Sequence, residues 1–203
     1  PPQPAPASPG PAAPAPCVAP ATSQRRRAQE LREQAMRDVL TGIYNKAGEK
    51  LIDAMVKEKG HGLFLMLDLN DFKSINDTIG HAAGDAILTE MGRVLKGTCR
   101  ENDIVARIGG DEFVMFRPGA FDWQTGKRKI GEIQESLRTV MISAWGIRGI
   151  RASIGAALCP EDGLDYETLF KAADEAMYLD KEQSKNRNES REAGEEKQDR
   201  TIS

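Results

Sequence analysis

The sequence predicts an α/β domain built around a mixed sheet. Three observations carry that expectation. Helical and strand-like segments alternate between about Arg25 and Lys181; Gly62–Leu69 (GLFLMLDL) is a nearly continuous apolar run; and two short strand-like segments lie next to each other, joined only through Gly109-Gly110-Asp111. An apolar run of that length is what a strand covered on both faces requires.

The elements follow in order. Nine of the 11 prolines fall in residues 1–20, so residues 1–24 are expected to form a Pro/Ala-rich disordered linker. It lacks the charged start and apolar stretch of a signal peptide. The chain also begins without Met, which is expected of a piece of a longer protein. Gln24 to Val39 places Leu31, Ala35 and Val39 four apart and predicts a helix, with residues 25–37 as a linker helix ahead of the main domain. Arg25-Arg26-Arg27 opens it, diluted by Glu30 and Glu33. Glu49–Lys59 is a second helix and Gly62–Leu69 the central strand. Asp85–Gly97 carries Ile87, Leu88, Met91, Val94 and Leu95 on one helical face. Asp103–Ile108 and Glu112–Arg117 form a hairpin whose two glycines permit positive φ. Phe121–Lys127 reads as a loop, Gln124–Ala144 as a helix, Ile150–Cys159 as a strand and Tyr166–Lys181 as a last amphipathic helix. Residues 188–203 belong to a highly charged segment without aromatics and are expected to be a disordered tail.

Composition excludes several classes. At 203 residues, 39% hydrophobic and 29% charged, the chain has the proportions of a soluble globular protein. A formal net charge of -3 argues against a dedicated nucleic-acid binder. No apolar run reaches the roughly 18 residues that a membrane span needs. Cys17, Cys99 and Cys159 are scattered and make no zinc or redox pair, so a reduced, cytoplasmic setting is expected.

Two features could carry chemistry. Asp68 ends the most apolar strand, where ligands of open α/β sheets bind; capping the segment that opens near Asn70 and Asp71 is the alternative. Gly109-Gly110-Asp111-Glu112-Phe113 puts adjacent acids on a hairpin whose glycines let an anion approach the backbone. Asp111 meeting Asp68 would make a hard oxygen site for Mg²⁺, or Mn²⁺ in its place. An ordinary Gly-Asp turn is the alternative there.

These residues keep specific company. Asp68-Leu-Asn-Asp-Phe72-Lys73-Ser-Ile-Asn76-Asp77, Gly80-His81, Gly84-Asp85 and Arg107-Ile-Gly-Gly-Asp-Glu-Phe113 resemble the GGDEF family of diguanylate cyclases. Asp38-Val-Leu-Thr-Gly-Ile-Tyr-Asn45, Ala152-Ser-Ile-Gly155 and Ala173-Asp174-Glu-Ala-Met-Tyr178 add to it, with Lys181 and Lys185-Asn-Arg187. The resemblance spans residues 38–187 in order.

It implies a five-stranded sheet flanked by helices, akin to nucleotide-cyclase and polymerase palm domains. It also implies condensation of two GTP molecules into cyclic di-GMP with release of two pyrophosphates, at a homodimer in which each domain brings one GTP. Carried over by position, Asp68, Asp111 and the carbonyl of Leu69 hold the metal, and Asp111 accepts the proton of the attacking 3′-hydroxyl. Glu112 is a second acidic contributor unless strand alternation turns it away. Asn76 and Asp85 read guanine, whose edge mixes donors and acceptors that an amide and a carboxylate complement; an N-cap on the helix beginning at Ala86 is the alternative for Asp85. Phe72 and Lys73 hold phosphates near a helix N-terminus, and Lys181 and Lys185 contact them from the last helix. Asn70 stands where many members carry a second aspartate, a modest change in charge.

Arg100-Glu-Asn-Asp103 matches the family's inhibitory Arg-x-x-Asp site for cyclic di-GMP. A guanidinium and a carboxylate suit guanine and phosphate edges, and a plain ion pair is the alternative. Two other functions compete with catalysis: a receptor that only binds cyclic di-GMP, and a GTP-sensing module of an attached hydrolase. Intact Asp68, Asn76, Asp85 and Asp111 favour the enzyme. No nucleic-acid or membrane partner is expected of this chain.

Overall fold

The computed structural model describes residues 21–179 and residue 181. Helix α1 (Ala21–Ala35) is one unit, and the chain from Met36 onward is a second. The helix starts inside the segment expected to be linker and stops before Val39, so both predicted ends shift toward the N-terminus. Leu31 on α1 is 62% exposed.

The second unit runs α2 (Gly48–Lys59), β1 (Gly62–Leu69), α3 (Phe72–Ile79), α4 (His81–Thr98), β2 (Ile104–Arg107), β3 (Glu112–Pro118) and α5 (Trp123–Arg138). The two-residue strands β4 (Met141–Ile142) and β5 (Ile147–Arg148) follow, then β6 (Ala152–Cys159). A last helix, α6, covers 166–179. Among the described residues no helix is long and apolar enough to cross a membrane.

The α/β architecture stands, with a sheet flanked by helices, but its strands differ from expectation. The main sheet has four strands in the order β2-β3-β1-β6, each neighbouring pair antiparallel. The parallel element of the expected mixed sheet shrinks to one bridge between Tyr44 and Ala106. Tyr44 N–H donates to Val105 O (3.1 Å) and its carbonyl accepts from Arg107 N–H (2.8 Å). That single residue holds the outer position beside β2.

Alternation along β1 makes three layers. Leu63, Leu65, Leu67 and Leu69 face α4 and α5 through Ile87, Leu88, Met91, Leu95, Ile133 and Leu137. Phe64 and Met66 face α2 and α6 through Ile52, Val56, Leu169, Ala173 and Met177. Burial on both faces explains the unbroken apolar run, and each such side chain contributes about 1.5–3 kcal/mol relative to exposure.

Two predicted segments change character. The helix expected to run to Ala144 ends at Arg138, and residues 141–148 turn back as the small β4–β5 pair instead. The expected loop at 121–127 is the start of α5: Asp122 Oδ1 accepts from Thr125 N–H at 2.7 Å, an N-cap, and Phe121 packs on the core. Residues 1–20 and 188–203, expected to be linker and tail, lie outside the described residues.

Candidate functional site

Because β1 and β2 both run antiparallel to β3, their C-terminal ends share one end of the sheet. The loops from there on, β1 into α3 and β2 into β3, therefore meet. Asp68 sits opposite Glu112 on one side and Ser153 on the other in register. Register partners in an antiparallel pair share a face, so Glu112 is turned toward Asp68 and not away from it. The next ladder step is Leu69 N–H donating to Asp111 O at 3.3 Å. Leu69 is buried, and Asp111 is half-buried at the turn.

Asp68 and Glu112 line a cavity of about 550 Å³ with Asp174, Tyr178 and Lys181. Lys181 Nζ donates to Asp68 Oδ1 at 2.9 Å. The capping alternative for Asp68 fails, because the N-cap of α3 is Asp71 and Asp68 remains within β1. Lys185 lies outside the described residues.

The hairpin glycines do a different job from the one expected. Neither Gly109 nor Gly110 adopts a positive φ. A Cβ on Gly109 would overlap the Glu112 carboxylate, whereas one on Gly110 meets nothing within 4 Å. Gly109 makes room for Glu112, and Gly110 leaves the tip open. Arg107 holds that tip, donating to Gly110 O from Nη2 (2.7 Å) and Nε (3.1 Å). Its Nη1 lies 3.3 Å from Asp38 Oδ2. Asp38 in turn accepts from the Thr41 amide (2.8 Å) and hydroxyl (2.7 Å). Burial pushes the Asp38 carboxyl upward, but those bonds and the Arg107 guanidinium outweigh it and lower its pKa.

The β1–α3 turn gives α3 a bare start. Asp71 is its N-cap, in the left-handed region (φ 60°), and makes no side-chain cap bond. The first amides of α3, beginning at Phe72 and Lys73, thus have no capping side chain. Phe72 is half-buried against the core and Lys73 is exposed.

Asn76 lies against Gly84, the residue before Asp85. A Cβ there would overlap Asn76 Oδ1 and lie 3.2 Å from Phe72 Cε2, so glycine lets α3 lie directly on α4. Asp85 is exposed within α4, which begins at His81 after the N-cap Gly80. The N-cap alternative for Asp85 therefore falls. Asp68, Glu112 and Lys181 line one cavity, and neither Asn76 nor Asp85 is among its lining residues.

Arg100 and Asp103 lie before β2, at the opposite end of the sheet. They do not form the plain side-chain ion pair. Asp103 Oδ2 accepts from the Arg100 backbone N–H (2.9 Å) and from Arg117 Nε (2.7 Å) and Nη2. Its side chain is 2% exposed, whereas Arg100 is exposed. Arg117 Nη2 and Lys129 Nζ also share the Thr98 carbonyl at 2.9 and 3.0 Å. Desolvation, followed by the neighbouring Arg117 guanidinium, lowers the Lys129 pKa.

Sequence reasoning missed Arg117, Ser153 and the lock from Arg107 to Gly110. The available signals were a charged residue at the end of an apolar strand and a serine within the Ala152–Gly155 motif.

Residues 35–187 match the family model described as diguanylate cyclase, GGDEF domain. Among curated proteins, the bifunctional diguanylate cyclase/cyclic di-GMP phosphodiesterase MucR of Pseudomonas aeruginosa is 35% identical over 82% of this chain and 25% of its own length. Diguanylate cyclase DgcS of Shewanella oneidensis is 32% identical over 78% of this chain and 53% of its own. This chain thus spans at most about half of either relative. Among solved structures, the coiled coil and GGDEF domain of DgcB from Caulobacter crescentus, in complex with c-di-GMP, superposes with a TM-score of 0.71. It is 25% identical, covering 79% of this chain and 88% of that one. The GGDEF domain of TpbB from Pseudomonas aeruginosa gives 0.67 at 33% identity, covering 72% and 89%.

Proposed function

The chain belongs to the GGDEF diguanylate cyclase family, and on that premise we propose that it condenses two GTP molecules into cyclic di-GMP. In each of two equivalent steps a 3′-hydroxyl oxygen bonds to the α-phosphorus of the other GTP, the bond to pyrophosphate breaks, and the hydroxyl proton passes to a base. A domain holding one GTP cannot complete this alone, so two copies of the chain face each other.

One observation carries the reading. The register partners Asp68 and Glu112 open onto one cavity that α6 also lines, and Lys181 already places a cation on Asp68. This chain's residues divide the work. Asn76 and Asp85 read the guanine edge. The first amides of α3 at Phe72 and Lys73 receive phosphate oxygens, and Lys181, with Lys185 beyond it, adds positive charge. Asp111 takes the hydroxyl proton.

The donor set fits Mg²⁺: Asp68, Asp111 and the Leu69 carbonyl offer hard oxygens, Glu112 shares the Asp68 face, and the Asp68 carboxylate accepts a cation in the form of the Lys181 ammonium. Among the described residues no cluster of three or more His, Cys, Asp or Glu side chains that could hold a metal is present, so water and substrate phosphates would supply the remaining ligands. When bound, it lowers the charge cost of the attacking oxygen and leaving pyrophosphate.

Feedback by cyclic di-GMP acts at Arg100. Asp103 is committed to Arg117 and holds the Arg100 backbone, so the exposed guanidinium makes the contact.

The test is incubation of the full chain with GTP and Mg²⁺ over a wide range of protein concentration, with products separated chromatographically. Cyclic di-GMP rising faster than linearly with protein is expected. GTP left unconverted at every concentration would overturn the reading.

A further inference from the structure

The turn between β1 and α3 is tied to the start of β6 by three bonds that catalysis, as described above, does not use. Asn70 N–H donates to Arg151 O at 2.9 Å, which extends the β1–β6 ladder one step past Leu69 and Ala152. Ser153 Oγ donates to Asn70 Oδ1 at 2.8 Å. Arg151 Nη2 lies 3.0 Å from Asp71 Oδ2. The two side-chain bonds join residues that are 83 and 80 positions apart in sequence.

Their strengths differ for physical reasons. Ser153 is 6% exposed and is the register partner of Asp68. A hydroxyl so deeply covered must be satisfied, and Asn70 is what satisfies it. Arg151 and Asp71 are exposed, with side chains 74% and 64% accessible, so that pair adds little by itself. Asp71 nevertheless holds φ 60°, which costs a non-glycine residue some strain unless its surroundings hold it there. The turn is short and has no side-chain cap, and β6 supplies what keeps it in one shape.

We propose that Ser153 is a positioning residue for the phosphate-receiving turn, acting through Asn70, with Arg151 supporting Asp71. The proposal rests on the nucleotide reading above. It also gives Asn70 a role separate from metal binding: its carboxamide oxygen is occupied by Ser153, so the loss of a carboxylate at this position leaves the turn anchored. Ser153 touches no substrate. Its effect is to keep the Phe72 and Lys73 amides where a triphosphate meets them, so it should be felt by phosphates and not by the base.

The experiment measures binding of a non-reacting GTP analogue with Mg²⁺, and of guanosine, to the full chain and to Ser153→Ala, Ser153→Thr and Arg151→Ala. The expected result is a Kd for the GTP analogue raised roughly tenfold by Ser153→Ala, guanosine affinity unchanged, and recovery with Ser153→Thr, whose hydroxyl can still donate. Arg151→Ala should give a smaller change of the same pattern. A thermal melt accompanies each variant, and Ser153→Thr keeps the test open if Ser153→Ala fails to fold. Equal weakening of guanosine and the GTP analogue would overturn the proposal, as would an unchanged Kd for the analogue in Ser153→Ala. Wild-type protein that binds no GTP analogue would overturn the nucleotide reading itself, a result distinct from either.

Discussion

Arg117 reaches back from β3 to Asp103, with Nε 2.7 Å from Oδ2, and leaves that carboxylate almost wholly covered. The two members of the Arg100-x-x-Asp103 motif therefore have different jobs. Arg100→Ala removes an exposed guanidinium and should relieve product inhibition, so progress curves stay linear longer with little change in melting temperature. An unchanged inhibition constant for cyclic di-GMP would remove Arg100 from the feedback site.

Arg117→Met is expected to behave in the opposite way. It strands a buried carboxylate, and breaking such a pair costs about 3–5 kcal/mol. Denaturant unfolding of the two variants side by side reads the difference. Equal stability of Arg117→Met and wild type would show that Asp103 is not committed as described.

Asp111→Ala and Glu112→Ala should each lower turnover at least about a hundredfold, the scale on which one preorganised electrostatic group registers in a rate. Both residues lie at the end of the sheet, so circular dichroism should be unchanged. Wild-type turnover by Asp111→Ala in the dimer would sink its assignment. Wild-type turnover by Glu112→Ala would confine the chemistry to Asp68 and Asp111.

Gly84→Ala puts a methyl group where Asn76 Oδ1 now lies. Asn76, assigned above to reading guanine, has to move. The KM for GTP should rise roughly tenfold, while the Asp68 cavity, which neither Gly84 nor Asn76 lines, keeps its shape. Guanosine binding should weaken in parallel, the reverse of the pattern expected for Ser153→Ala. An unchanged KM would show that guanine is read elsewhere.

Asp38 links acid sensitivity to the hairpin. Its folded-state pKa is lowered, chiefly by the Thr41 hydroxyl and amide and by Arg107, against the opposing effect of burial. The unfolded chain therefore binds a proton here at higher pH than the folded one. The resulting stability is present above the ordinary carboxylate pKa, about 3.9, and is lost as pH falls through the lower folded value. Asp38→Asn should flatten the acid limb of a melting-temperature profile below about pH 4. An acid limb identical to wild type would show that Asp38 does not carry it.

Much of this was legible in the chain itself. The run Gly62–Leu69 is a strand at the residues expected, because burial on both faces leaves a pattern that does not depend on its neighbours. Strands Glu112–Pro118 and Ala152–Cys159 came within a few residues for the same reason, and the helix over 166–179 did so because one buried face recurs at helical spacing. Asp68 and Asp111 could be named from their places at a strand end and a hairpin turn, whereas Asn76 and Asp85 were named only through the resemblance to the GGDEF family. The end of α5 at Arg138 was not legible. Residues 139–144 carry no breaker strong enough to stop a helix, and the turn back through β4 and β5 depends on what they pack against.

What the sequence determined is the set of local elements and the order of chemical groups along them. Periodicity and turn chemistry act over a few residues, so they are written in the chain. The tertiary structure decided the long-range pairings. Antiparallel register turned Glu112 and Ser153 toward the Asp68 face, and tertiary packing gave Asp103 to Arg117 and brought Lys181 from the last helix onto Asp68. Each joins residues distant in sequence, and each depends on which face a side chain takes once the sheet and its helices have packed. A shift of one residue in that register would exchange the faces and dissolve the site.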